Sequence, residues 1–222
     1  MTELVGLVVV SHSAKLADGV VELAGQMAPG VPLVAAGGMP DGGLGTDFAA
    51  VSAALATADA GVGVVVLFDL GSAQMTADMA VEALDDPTRA VVAQAPLVEG
   101  AVAAAVAAAG GADMAAVAAA AAGTEPDAAP PAAGPAQETE IVLTNDIGLH
   151  ARPAALLARS LTGLTADVTV RLGTKEADAR SVLGLLGLAA RQGDRLVVSA
   201  RGEQAAEALA RIRQLADDDF GE

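Results

Sequence analysis

The sequence predicts an α/β protein of two small domains: an N-terminal open parallel sheet in three layers and a C-terminal open-faced α/β sandwich. Three observations predict it. Apolar strand-like runs alternate with helix-patterned stretches through residues 1–123, as in a parallel sheet covered by helices on both faces. Residues 124–138, TEPDAAPPAAGPAQE, hold four prolines and no bulky apolar side chain, the composition of a linker. Residues 139–222 then run strand, helix, hairpin, helix, strand, helix, which suits a sheet with helices on one face.

In the first domain, Leu4–Val10 is an apolar run expected to be a buried strand. Leu16–Met27 has helical spacing, and Val31–Ala36 reads as a second strand. Asp47–Ala58 reads as a helix with Thr46 as its N-cap. Val62–Phe68 is a third strand, followed by a helix over about Ser72–Leu84 and a short strand at Ala90–Ala93. Alanine-rich helices complete this part, and Ala101–Ala122 carries no motif. In the second domain, strands are expected at Thr139–Thr144, Ala166–Leu172, Lys175–Ala179 and Arg195–Ala200, with Gly173 in the hairpin turn. Helices are expected at Arg152–Thr162, Ser181–Leu188 and Glu203–Ala216.

The composition excludes several kinds of chemistry. There is no cysteine, so disulfides, thiolate metal sites and cysteine nucleophiles are absent. Two histidines without a nearby carboxylate cluster predict no metal site. A net charge of −16 argues against nucleic acid as a partner. That charge is uneven: residues 1–123 hold 13 acidic and 2 basic groups, and residues 139–222 hold 12 and 10. No uninterrupted apolar run reaches transmembrane length, and no basic region precedes an apolar N-terminal segment. A cytoplasmic protein without membrane insertion is the expectation. No GxxxxGK loop and no strand-linked GxGxxG occur, so no cofactor and no direct ATP donor are expected.

Both histidines fall at strand-to-helix turns. His150 lies in Gly148-Leu149-His150-Ala151-Arg152-Pro153-Ala154, just before a helix. The free N–H groups of a helix start and the positive end of its dipole attract an anion. Pro153 costs little in a first turn, because its N–H would have no helical partner anyway. Arg152 adds a fork of donors suited to phosphate. His12, in Val8-Val9-Val10-Ser11-His12-Ser13, follows the first strand, where an open α/β sheet places a reacting group. Asp69, in Phe68-Asp69-Leu70-Gly71-Ser72, follows the third strand at the same edge. With strands ordered 2-1-3-4, Asp69 can hold one ring nitrogen of His12 and leave the other as nucleophile. Ser13, Ser72 and the N–H groups of Gly71 and Ser72 are candidates for holding phosphate oxygens, with Thr46 as a further one.

The heptapeptide Gly148–Ala154 closely resembles the active-site motif of HPr, the phosphocarrier of the phosphoenolpyruvate-dependent phosphotransferase system, over about residues 138–216. The run VVVSHS together with DLGSA resembles the mannose-type IIA domain over about residues 3–123. Within that family the compact DLGS is most similar to the phosphotransfer subunits of phosphoenolpyruvate-dependent dihydroxyacetone kinases. These resemblances imply a domain division of 1–123, 124–138 and 139–222. They imply phosphohistidines at His12 and His150; Asp69 is expected to orient His12 by its position. Phosphate would pass from enzyme I to His150, then to His12, then to ADP in the nucleotide-binding subunit of the kinase, a phosphoenolpyruvate–glycerone phosphotransferase activity of glycerone metabolism. They also imply a homodimer through the N-terminal domain and a regulatory serine at Ser181, a residue that equally suits a helix N-cap. Two other readings stand beside this one: the IIA–HPr component of a mannose-type sugar permease, and a non-catalytic regulator switched by histidine phosphorylation.

Overall fold

A computed structural model describes residues 3–123 and 135–221. The chain divides into two compact units, Met1–Pro126 and Asp127–Glu222. Most of the expected linker, residues 124–134, lies outside the described residues.

The first unit is a parallel sheet of β1 (Gly6–Ser11), β2 (Leu33–Gly37), β3 (Val64–Phe68) and β4 (Ala90–Val92), ordered β2-β1-β3-β4. Every residue of β1 is buried. Valines dominate the two central strands, as suits strands covered on both faces. Helices α2 (Phe48–Ala58) and α3 (Gly71–Glu82) pack Val51, Leu55, Ala73, Ala77 and Ala80 onto Val8, Val10, Val64 and Val66. Helices α1 (Ala14–Met27), α4 (Leu97–Ala109) and α5 (Met114–Ala122) form the other layer. Small side chains let these layers approach closely. A Cβ on Gly6 would sit 2.1 Å from the carbonyl oxygen of Ala58, and one on Gly100 would sit 2.8 Å from that of Ala121.

Element order follows the sequence expectation, and boundaries differ by a few residues. Strand β1 starts at Gly6, not Leu4, and β2 starts at Leu33, not Val31. The expected cap of α2 is corrected: Asp47, not Thr46, is the N-cap, and its carboxylate accepts from Ala50 N at 2.7 Å. Thr46 instead forms a lone parallel bridge with Gly38, which holds it in extended backbone.

The second unit is an antiparallel sheet of β5 (Gln137–Val142), β6 (Asp167–Leu172), β7 (Lys175–Asp178) and β8 (Arg195–Arg201), ordered β5-β8-β6-β7. Burial alternates along β8, with Leu196, Val198 and Ala200 inward and Arg195 and Arg201 exposed. Helices α6 (Ala151–Ser160), α7 (Val182–Gly187) and α8 (Ala205–Asp217) bury Leu157, Leu185, Leu209 and Ile212. Strand β5 begins at Gln137, inside the segment read from sequence as linker, because Gln137 and Glu138 pair with Ala200 and Ser199 of β8. Ser181 caps α7, its hydroxyl accepting from Gly184 N at 3.1 Å.

Candidate functional site

Parallel pairing of β1 and β3 sets Val10 opposite Phe68, so His12 and Asp69 leave the sheet side by side. The Asp69 amide continues the ladder, donating to Val10 O at 3.2 Å. The Asp69 carboxylate then receives four donors. Its Oδ2 accepts from Ser11 Oγ and from the His12 amide, each at 2.9 Å. Its Oδ1 faces His12 Nδ1 at 2.9 Å and accepts from the Leu70 amide at 2.7 Å.

Burial pushes the Asp69 carboxyl up, but the His12 amide, the His12 ring, the Ser11 hydroxyl and the Leu70 amide together hold it below the ordinary aspartate value. A carboxylate ionised at neutral pH only accepts, so the facing Nδ1 carries the proton. In the neutral ring Nε2 then keeps its lone pair and accepts from Ser72 Oγ, 2.7 Å away. Helix α3 begins beside this nitrogen with Leu70 as N-cap and no side-chain cap bond. Gly71 and Ser72 form the first turn at that end, where the amides of a helix start lack intrahelical acceptors. The His12 side chain is 25% exposed, so the ring is held yet open to a partner.

The expected candidates separate here. Asp69 and Ser72 both meet the His12 ring. Ser13 is the N-cap of α1, accepting from Leu16 N at 3.4 Å, and its amide donates to Ser11 Oγ at 3.0 Å. Thr46 Oγ1 pairs with Thr76 Oγ1 at 2.9 Å. Two residues escaped the sequence reading. Ser11 is fully buried and bridges the Asp69 carboxylate to the Ser13 amide; a serine after three valines at the end of a buried strand was its only signal. Thr76 gave no signal inside its helix.

His150 is the N-cap residue of α6, with extended backbone at φ −87° and ψ −172° and no side-chain cap bond. Its place is fixed by the turn before it. Gly148 has φ +85°, its carbonyl accepts from Asn145 Nδ2 at 2.9 Å, and Leu149 N donates to Ala190 O at 3.0 Å. Arg152, the second residue of α6, is exposed and reaches Gly221 O at 3.5 Å. Pro153 is buried in the same first turn. Among the described residues, no cluster of three or more His, Cys, Asp or Glu could hold a metal ion. No helix among them is long and apolar enough to cross a membrane.

Residues 6–118 match the family model described as the PTS system fructose IIA component, just over half of the chain. The chain belongs to this IIA family. Residues 137–218 of this IIA-family chain match a second model, described as the PTS HPr component phosphorylation site. The chain is 35% identical, along 99% of its length, to the PEP-dependent dihydroxyacetone kinase phosphoryl donor subunit DhaM of Providencia stuartii, and covers 51% of that relative. It therefore spans about half the length of such curated relatives. It is 37% identical to the PTS-dependent dihydroxyacetone kinase phosphotransferase subunit DhaM of Lactococcus lactis, over 45% of this chain and 78% of the relative. Its HPr-like part is 39% identical to the phosphocarrier protein NPr of Shewanella violacea, over 38% of this chain and 93% of the relative.

Proposed function

We propose that the chain relays a phosphoryl group from enzyme I to His150, from His150 to His12, and from His12 to ADP bound in the nucleotide-binding subunit of a dihydroxyacetone kinase. The observation that carries this reading is the His12 ring itself. Its Nδ1 is held by a carboxylate, and its Nε2 faces a hydroxyl at an uncapped helix start. In the step between the two histidines, Nε2 attacks phosphorus in line, the donor P–N bond breaks, and its electron pair returns to the donor imidazole. Little bond-making chemistry is left to the protein, so rate comes from positioning and charge stabilisation. The DhaM names of the relatives favour the kinase acceptor over a permease. On this reading the protein works in the cytoplasm, as a homodimer through its N-terminal unit.

Incubation with phosphoenolpyruvate and enzyme I alone should place acid-labile phosphate on His12 and His150. His150→Ala should lose both labels, with no separate HPr present. Adding the kinase subunits, ADP and dihydroxyacetone should discharge the label. Label on His12 in His150→Ala, or discharge only to a permease component, would overturn the relay as written.

A further inference from the structure

Two chain segments hold His12, one at its backbone and one at its ring, and a pair of hydroxyls joins them. Gly45, in the loop before α2, donates its N–H to His12 O at 2.9 Å. Next in the chain, Thr46 Oγ1 lies 2.9 Å from Thr76 Oγ1 on α3. Thr76 Oγ1 donates to Ser72 O at 3.2 Å, and Ser72 Oγ meets His12 Nε2. The contacts form a closed ring from the backbone of His12 to its imidazole. Thr76 has one hydroxyl proton and gives it to Ser72 O, so Thr46 is the donor within the threonine pair. A helical hydroxyl bonded to the carbonyl four residues back is ordinary, as at Ser52 and Thr57 on α2. Thr76 adds to it a side-chain partner thirty residues distant in sequence.

We propose that Thr76 is a positioning residue for His12, acting with Thr46 to hold the first turn of α3 so that Ser72 Oγ stays on Nε2. This role rests on His12 being the phosphoryl carrier. The first turn needs such a tie: Leu70 provides no side-chain cap, and Gly71 and Ser72 are exposed. Through the tie, the loop that fixes the His12 backbone also fixes the hydroxyl facing its ring. During transfer the Ser72 proton leaves Nε2 as the new P–N bond forms, and turns to a phosphoryl oxygen. No atom is gained or lost in that exchange.

The full chain, charged from phosphoenolpyruvate and enzyme I, is the material for the test. Thr76→Val keeps shape and removes the hydroxyl, and should slow labelling of His12 about tenfold through misplacement of the reacting groups. Thr76→Ser should restore most of the rate. Thr46→Val should match Thr76→Val, and the double variant should be no slower than either, because both act in one network. The ring ¹⁵N signals of His12 give a second readout: Nε2 should shift in Thr76→Val while Nδ1 stays. A wild-type rate in Thr76→Val, equal slowing by Ser and Val, or slowing with an unmoved Nε2 signal would each overturn the role. Absence of His12 label in the unaltered chain would sink the carrier reading and this role with it. A wild-type rate in Thr76→Val sinks this role alone.

Discussion

His12 Nδ1 lies 2.9 Å from Asp69 Oδ1, and the same carboxylate binds the His12 amide through Oδ2 at 2.9 Å. One side chain thus fixes both the position of the residue and the proton on its ring. Both carboxylate oxygens face donors, which makes Asp69→Asn more disruptive than its size suggests. Whichever way the amide is turned, its NH₂ faces two donors. The ring then loses its enforced tautomer. Transfer through His12 in Asp69→Asn should slow by about 10²-fold or more, in line with loss of a positioned acid–base partner. Labelling of His150 should be unchanged. A normal rate through His12 would reduce Asp69 to a turn-forming residue.

The lowered pKa of Asp69 also ties stability to pH. A folded-state value below the unfolded one means that the ionised carboxylate stabilises the fold fully above the unfolded pKa, about 3.9. That contribution is lost as pH falls through the lower folded value. Asp59 behaves alike: its bond to Arg89, at 2.6 Å, and the amides of Gly61 and Gly63 hold it down against burial. The full chain should therefore lose melting temperature below about pH 4. The gap between wild type and Asp69→Asn should narrow over the same range. A gap that stays constant from neutral pH to pH 3 would show that Asp69 ionisation contributes nothing to stability.

Gly148 is required by its backbone. At φ +85° an L side chain is strained, and a Cβ would lie 2.5 Å from both Ala190 O and Arg191 Cα. Backbone atoms cannot yield as a flexible side chain can. Gly148→Ala should destabilise the HPr-like unit by about 2 kcal/mol or more and reduce labelling of His150. The His12 unit should keep its fold. Unchanged melting and unchanged His150 labelling would contradict this.

Both histidine turns were legible because strand ends and helix starts leave strong local marks. The neighbouring positions of His12 and Asp69 followed from strand order alone. What stayed hidden depends on side chains meeting at long range. Thr46 and Asp47 are both good cap residues, and only the bridge to Gly38 decides that Asp47 caps. Thr76 reads as an ordinary helix position, since its partner Thr46 is set by how α2 and α3 pack. The alanine-rich end is helical in two pieces, Leu97–Ala109 and Met114–Ala122. Alanine at nearly every position erases the apolar period, so the break is marked by the Gly110-Gly111 pair, with Gly111 at φ +79°, and by Asp113, which caps the second piece.

Arg152 offers the sharpest test of the second site. It sits on the first turn of α6, next but one to His150, and its guanidinium is only lightly engaged. Its contact to Gly221 O, at 3.5 Å, is at the long limit of a hydrogen bond. Moving to a phosphate on His150 would therefore sacrifice little. Arg152→Ala should lower the rate of transfer through His150 by about 10²-fold, the scale for loss of one donor aimed at developing charge. Arg152→Lys keeps the charge but not the planar fork, so it should fall between Ala and wild type. Single-turnover labelling separates the two half-steps. Charging from enzyme I and discharge to His12 should both slow, because the guanidinium serves the phosphoryl group in each transition state. Slowing of the charging step alone would make Arg152 a docking contact for enzyme I instead of a ligand of the transferred group.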